Sequence, residues 1–263
     1  MSARILGIVG TGAIGASIGM RARANGWHVL GCDIAPAALE NARRAGAIDA
    51  AASPDALYDA AHVLVLATHL DGVLTEIERL RARPVNAELI LDAASVKAAV
   101  SAAGRALPQF VASHPMAGTE RTGPLAARAD LFEGCTWAYV SSGSSELDER
   151  ARRFIGSLGA NPLAIDAAEH DRLVARTSHL PQLVSTLFAS SLVDETNAAA
   201  LDALCGPAAR EMRRLGRSSF AMWEPILRHN ATNVAREARA LAVRLNEAAD
   251  ALERGEAATI PTL

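Results

Sequence analysis

The sequence predicts an α/β protein in two parts, a doubly wound parallel sheet followed by an all-helical region. Three observations carry this prediction. Short apolar runs alternate with helical patterns from Ile5 to Ile165, as in a parallel sheet covered by helices on both faces. The first run, Ile5–Val9, ends on Gly10, and Gly12 and Gly15 follow to give G-x-G-x-x-G where a strand gives way to a helix. After Asp166 no strand pattern recurs, and apolar residues repeat only at helical spacing. The expected domains are residues 1–166, a Rossmann-type sheet, and residues 167–263, all helical.

The elements follow in order. Ile5–Val9 is the first strand and Ala13–Ala24 the first helix, which Gly26 ends. Trp27–Cys32 is the second strand, stopping at Asp33. Pro36 opens a helix that runs to Ala45. Ser53-Pro54-Asp55 reads as an N-cap with proline in the first turn of a short helix to Ala60. Val63–Ala67 and Leu89–Leu91 are continuous apolar runs suited to strands buried on both faces, with a helix over Asp71–Arg83 between them. A further helix ends near Ala106, and Phe110–Ser113 is a strand leading into His114. Trp137–Val140 and Leu163–Ile165 are strands flanking a helix over Glu146–Leu158. Asp166 to Glu169 fits a capping box. Helices then cover roughly His170–Leu192, Asn197–Cys205, Ala208–Leu215 and a long stretch from Phe220 to Arg254. On the last part of that stretch Val234, Ala238, Leu241, Leu245, Ala248 and Leu252 recur at spacings of three and four, the pattern of a packed helix face.

The glycine spacing has a physical reading as a dinucleotide seat. Gly10 permits the tight turn, Gly12 lets a pyrophosphate approach the backbone, and Gly15 lets the helix lie close to the sheet. The amides around Ala13 and Ile14 then open the helix, where free N–H groups and the helix dipole favour phosphate. Asp33 stands 18 residues after Gly15, where a carboxylate accepts hydrogen bonds from ribose hydroxyls and repels a 2′-phosphate. That favours NAD over NADP. The same residue also reads as a helix N-cap, and Arg43 and Arg44 nearby tolerate a phosphate.

Composition excludes several classes. The 263 residues are 50% apolar and 21% charged, enough for a real core, and the net charge of −3 carries no basic stripe, so nucleic acid is not expected as a partner. Cys32, Cys135 and Cys205 form no metal spacing and no evident disulfide set, which suits a reducing cytoplasm. The apolar N-terminal run lacks a cleavage pattern, and no run is long enough to span a bilayer. Neither a metal site nor a membrane partner is expected.

Chemistry is expected beyond the carboxyl ends of the strands. Thr68-His69, Ser95-Val96-Lys97 and the stretch from His114 to Glu120 all fall there. His114, just past a strand end and stiffened by Pro115, is the acid/base candidate. Ser95 reads either as its polar partner or as the N-cap of the next helix, Lys97 equally as a solvated helix residue, and Glu120 as a loop carboxylate or a gate. In the helical region Pro181 kinks its helix. Arg210, Arg213, Arg214 and Arg217 share one helix face, either solvated or suited to an anionic substrate.

These residues resemble the prephenate/arogenate dehydrogenase family of tyrosine biosynthesis. The resemblance rests on Gly10 to Gly15, Asp92…Ser95-Val96-Lys97, His114-Pro115-Met116-Ala117-Gly118-Thr119-Glu120, His170-Asp171, Ser178-His179-Leu180-Pro181, and Arg214…Met222-Trp223 leading to Ile226 and Asn230. It implies NAD-dependent oxidative decarboxylation of a cyclohexadienyl carboxylate, prephenate or arogenate. His114 would take the C4 hydroxyl proton and Ser95 would position it. Arg214 would bind the ring carboxylate and Arg210 the side-chain carboxylate, with Glu120 at the entrance. His179 and Gln182 would lie at the substrate, and Thr68 beside the cofactor. Gln182 replaces a histidine common in prephenate-specific members, which points to a relaxed choice of substrate. The helical part would form a homodimer, and no attached regulatory domain is expected. Two other readings are a β-hydroxyacid dehydrogenase-like oxidoreductase and a non-catalytic dinucleotide-sensing dimer. The first of these uses a lysine in the helical half, whereas this chain's single lysine is Lys97.

Overall fold

A computed structural model describes residues 4–118, 121–193 and 197–257. The chain divides into two units, Met1–His170 and Asp171–Leu263. Among the described residues no helix is long and apolar enough to cross a membrane.

The N-terminal unit is built on a six-stranded parallel sheet of β1 (Ile5–Val9), β2 (His28–Cys32), β3 (Ala50–Ala51), β4 (Val63–Leu66), β5 (Leu89–Asp92) and β6 (Phe110–Val111), in the order β3-β2-β1-β4-β5-β6. Helices α1 (Ala13–Ala24), α2 (Pro36–Arg44), α3 (Pro54–Ala60), α4 (Leu70–Arg81) and α5 (Ala98–Gly104) connect these strands. β4 and β5 are buried along their whole length, which is why both read as unbroken apolar runs. Leu6, Ile8, Ile18, Val29, Val63, Val65 and Leu91 form the heart of the core. Gly19 lets α1 lie against the loop before β3, since a Cβ there would stand 2.2 Å from the carbonyl oxygen of Ala47.

A second, three-stranded sheet departs from the sequence expectation. The run expected as one strand over Phe110–Ser113 is split: β6 pairs with β5, whereas β7 (Ser113–Pro115) pairs antiparallel with β8 (Thr136–Tyr139), which pairs in parallel with β9 (Asn161–Ala164). The split is set by partners distant in the chain. At Ala112 and Ser113 the backbone takes other partners: Val140 N donates to Ala112 O at 2.8 Å, and Ser113 N donates to the Asp92 side chain at 2.7 Å. Helix α6 (Ser145–Ser157) links β8 to β9 and adds Leu147, Phe154 and Ile155 to the core.

The C-terminal unit is helical: the end of α7 (Ala167–Val174), then α8 (Leu180–Ser191), α9 (Ala198–Leu204), α10 (Pro207–Gly216), α11 (Phe220–His229) and α12 (Ala231–Glu253). Two expected long helices are interrupted. Residues Ala175–His179 form a π turn between α7 and α8. Pro181, which has no N–H to give the ladder, stands at the start of α8, so the turn before it rearranges. The stretch from Phe220 breaks at Asn230, whose φ of −116° and ψ of 22° are not helical. Helices α8 and α10 pack closely through Gly216, where a Cβ would stand 2.6 Å from the carbonyl oxygen of Ser185.

Candidate functional site

The strand order reverses between β1 and β4, and ligands of open α/β sheets bind beyond the carboxyl ends of strands at that reversal. The glycine loop lies there. Gly10 turns with a φ of 93°, and the Cβ it lacks would stand 2.6 Å from the carbonyl oxygen of Ala67. Gly12 differs: a Cβ there would meet no atom within 4 Å. Packing does not demand glycine at that position. Its missing side chain leaves open space in front of the first amides of α1, from Ala13, Ile14 and Gly15, which an α-helix leaves without intrahelical carbonyls. Room, a helix dipole and free amides together fit a pyrophosphate.

Asp33 follows β2 at the same edge. Its Oδ2 accepts from the Thr11 amide at 2.8 Å and the Thr11 hydroxyl at 3.1 Å, and its Oδ1 accepts from Ala35 N at 2.9 Å. The carboxylate is therefore fixed to the glycine loop and closes the turn that leads into α2; the N-cap of that helix is Ala35, with no side-chain cap, which corrects the N-cap reading of Asp33. Beside it Ile34 is 97% exposed, an apolar side chain left in solvent next to an anchored acid. Thr68, at the end of β4, brings its Cγ2 to 2.8 Å from where a Gly10 Cβ would be and so walls the turn.

The second cluster forms where β5 ends. Asp92 and Lys97 are fully buried and ion-paired. Lys97 Nζ also donates to Ser113 O at 2.6 Å. Asp92 accepts from Ser113 N and, at 2.9 Å, from Ala94 N, while the Ser113 hydroxyl donates to Asp92 O at 2.5 Å. Burial pushes the Asp92 carboxyl up, against the opposing pull of Lys97 and the two amides. This corrects two expectations. Lys97 is not a solvated helix residue, because its ammonium finds a carboxylate and a carbonyl inside the protein. The N-cap of α5 is Lys97 rather than Ser95. Ser95 instead lies half-buried on the loop whose two ends, Asp92 and Lys97, hold Ser113.

His114 follows Ser113 directly. It lies within β7, paired in register with Ala138, rather than past a strand end as expected, because the chain re-enters a sheet at Ser113. Its Nδ1 stands 3.0 Å from Nε2 of His170, and the two rings meet edge to face at 5.2 Å between centroids. His170, on α7, is 2% exposed. The sequence reading did not give it a role; the only signal was its place within a resembling stretch.

The helical unit carries the remaining candidates. Asn230 Nδ2 donates to Asp171 O at 2.7 Å and stands 3.1 Å from His179 Nδ1, which ties the π turn to the break between α11 and α12. Gln182 is buried, with Nε2 donating to Leu215 O at 2.9 Å and Thr186 Oγ1 at 3.3 Å, so it braces α8 against α10. Arg214 pairs with Glu211 at 2.6 Å, Arg213 with Asp202 at 2.7 Å, and Arg210 donates to Cys205 O. Glu120 lies outside the described residues. A cavity of about 540 Å³ opens in the N-terminal unit at the opposite, amino-terminal ends of the strands, floored by Trp27, Val63, Leu89 and Phe154, away from the glycine loop and His114. Among the described residues no cluster of three His, Cys, Asp or Glu side chains is placed to hold a metal ion.

Comparison with known proteins agrees with this architecture. Residues 18–160 match the family model for the prephenate dehydrogenase nucleotide-binding domain, and residues 166–261 that for the prephenate dehydrogenase dimerization domain. The chain is 34% identical over 236 residues to a probable prephenate dehydrogenase, NovF, of Streptomyces niveus, covering 88% of this chain and 64% of that one. It is 31% identical over 241 residues to the prephenate dehydrogenase of Bacillus subtilis, covering 85% and 63%. It thus spans somewhat less than two thirds of the length of these relatives. Two crystal structures share the fold. One is Aquifex aeolicus prephenate dehydrogenase in complex with hydroxyphenyl propionate and NAD+, with a TM-score of 0.89 and 23% identity over 99% of this chain and 94% of that one. The other is Synechocystis arogenate dehydrogenase, with a TM-score of 0.79 and 24% identity over 97% and 94%. With both of its units matched, the chain belongs to the prephenate dehydrogenase family.

Proposed function

We propose that this protein catalyses the NAD-dependent oxidative decarboxylation of prephenate, of arogenate, or of both. The observation that carries the reading is the pairing, within one unit, of an open glycine loop with a buried histidine fixed by the Asp92–Lys97–Ser113 cluster. Family membership supplies the substrate class.

In this reading the glycine loop and the start of α1 bind the pyrophosphate. Asp33 takes the ribose hydroxyls, Ile34 offers an apolar plane to a flat ring, and Thr68 borders the nicotinamide half. The nicotinamide supplies the hydride acceptor when bound. His114 accepts the proton of the C4 hydroxyl as the C4–H electron pair leaves and negative charge builds on that oxygen. Loss of the ring carboxylate as carbon dioxide completes the aromatic ring, and the phenol oxygen then regains its proton. Ser95 orients the hydroxyl and the imidazole. Arg214 and Arg210 bind the two carboxylates, His179 and Gln182 contribute to the substrate site, and Glu120 stands at its entrance.

We further assign the helical unit to a homodimer. Leu187, Leu204, Phe220, Leu245 and Leu252 are each more than half exposed, and such apolar surface on one unit suits a second copy. Domains of residues 1–166 and 167–263 and a cytoplasmic location complete the proposal. The β-hydroxyacid alternative is weakened by Lys97, whose ammonium is committed to Asp92 in the buried cluster.

The test is a matrix of prephenate and arogenate with NAD and NADP, read as reduced dinucleotide formed. Turnover of at least one substrate with NAD is expected. NAD binding without turnover of either would overturn the reading in favour of a dinucleotide sensor. Light scattering at micromolar concentration should give the mass of two chains.

A further inference from the structure

The ring of His114 is held by a second imidazole, and the two nitrogens that meet are 3.0 Å apart, His114 Nδ1 and His170 Nε2. Two neutral imidazoles bond at that distance only if one donates and the other accepts. There are two ways to place the proton. If His170 Nε2 carries it, His114 Nδ1 is the acceptor. The His114 proton then sits on Nε2, and the ring has no outward lone pair with which to take a proton. If His114 Nδ1 carries it, Nε2 of His114 is a bare lone pair, as a general base requires. The second arrangement also survives the proton transfer: the imidazolium still donates through Nδ1, now through a charge-assisted bond. The first must break when His114 protonates.

We propose that His170 is the positioning residue for His114, acting as a neutral acceptor that fixes the Nδ1–H tautomer and so presents Nε2 as the base. The inference rests on the reading of His114 as the proton acceptor. Three features of the structure make His170 suitable. It is 2% exposed and His114 is 9% exposed, so an unmade bond between them would leave polar nitrogens buried. Its helix is anchored just upstream, where Ala168 N and Glu169 N donate to Asp166 Oδ1 at 2.8 and 3.1 Å, and His170 N donates to Asp166 O at 2.8 Å. On the other side, Ser113 and its Asp92–Lys97 partners fix the strand that carries His114. Both rings thus stand on anchored backbone, and the edge-to-face contact at 71° between ring planes sets their relative tilt. The logic parallels the third member of a catalytic triad, which holds an imidazole in the required tautomer without itself reacting. Here the third group is uncharged, because a second positive charge 3.0 Å from a protonated His114 would oppose the transfer.

The test uses His170→Phe, which keeps a flat ring for edge-to-face packing and removes the acceptor, and His170→Gln, whose amide oxygen can accept from Nδ1–H. Imidazole nitrogen NMR on the full chain, with His114 assigned by comparison with His114→Asn, should find the Nδ1–H tautomer in the parent protein. In His170→Phe it should move toward Nε2–H. With the substrate that the activity matrix identifies, His170→Phe should lose about 10- to 100-fold in kcat, with KM within about twofold, and His170→Gln should recover most of the rate. An Nε2–H tautomer in the parent protein overturns the proposal. So does a His170→Gln variant as slow as His170→Phe, since packing alone would then be the role of His170. If His170→Phe does not fold, the parent tautomer and the His170→Gln rate decide. If neither substrate turns over, the functional reading fails, while the tautomer measurement still judges the histidine pair.

Discussion

Lys97→Met tests how much the site depends on its buried ion pair. Methionine fills the space of the lysine stem, so the change removes mainly the ammonium. Asp92 and Lys97 are both at 0% side-chain exposure, so bulk solvent does not reach the pair. Asp92 would keep its amide donors, Ser113 N at 2.7 Å and Ala94 N at 2.9 Å, and Ser113 O would lose a donor at 2.6 Å. Removing one partner of such a pair costs about 3–5 kcal/mol. The protein has one escape, protonation of Asp92, whose carboxyl burial already pushes up. Without Lys97 the native carboxyl rises further, while the unfolded one stays in the ordinary range. Between those two values the native state holds a proton that the unfolded chain has released. Stability then falls as pH rises, by about 1.4 kcal/mol per pH unit. The deficit against the parent should therefore be largest near pH 8 and shrink toward pH 5. Urea unfolding at both pH values measures it. In a Trp223→Phe background the remaining two of the three tryptophans, Trp27 and Trp137, report on the N-terminal unit. Adding Asp92→Asn should restore part of the loss, since the uncompensated charge is then gone while the amide group can accept from only one of Ser113 N and Ala94 N. A deficit below about 1 kcal/mol at pH 8, or one that grows in acid, would refute the reasoning.

Other outcomes follow from the glycines and from Asp33. Gly12→Ala should leave the unfolding midpoint unchanged, since its Cβ meets nothing within 4 Å, but weaken NAD binding by about tenfold or more, about 1.4 kcal/mol, by calorimetry. Gly15→Ala should destabilise the N-terminal unit outright, because its Cβ would stand 2.0 Å from Gly10 O, and a lowered melting temperature checks this. Asp33→Ala should narrow the NAD-to-NADP ratio of kcat/KM by about tenfold or more, with Thr11 losing its acceptor. Gly216→Ala should cost the helical unit about 1–3 kcal/mol by overpacking against Ser185 and Ala189, read by denaturant unfolding.

The parts of the fold that were legible in the sequence are those whose structure is local. Strand Ile5–Val9 and helix Ala13–Ala24 appear with the boundaries expected, since an apolar run, a glycine turn and a helical pattern each act over a few residues. What escaped depends on partners distant in the chain. Nothing near Phe110 marks the split at Ala112, because Asp92 and Val140 cause it from elsewhere. Lys97 opens a helical pattern as a solvated lysine would, and only the Asp92–Ser113 cluster shows why it is buried. The role of His170 is invisible for the same reason: 56 residues separate it from His114. The π turn before Pro181 is an intermediate case. The proline announced a disturbance, but which helical geometry absorbs it depends on the Asn230 contacts to Asp171 and His179.

The arginine helix shows how structure separates residues that spacing makes equivalent. Arg210, Arg213 and Arg214 all lie on α10, yet each has a different partner. Arg213 reaches Asp202 and stands 3.5 Å from the Cys205 sulfur, so it fastens α10 to the end of α9. Arg210 donates to the carbonyl of Cys205 and anchors the same junction. Arg214 pairs with Glu211 one turn earlier on its own helix, and the two side chains are 42% and 60% exposed. A solvent-screened pair of that kind contributes little, so in the proposed reading a substrate carboxylate can take the place of Glu211 at small cost. Exchanging the partner of Arg213 would loosen two helices. The screened geometry of its pair with Glu211 suits Arg214 better than Arg213 for a substrate carboxylate in the proposed reading. It also gives Glu211 a function in that reading, as the carboxylate that holds the guanidinium in place until the substrate arrives.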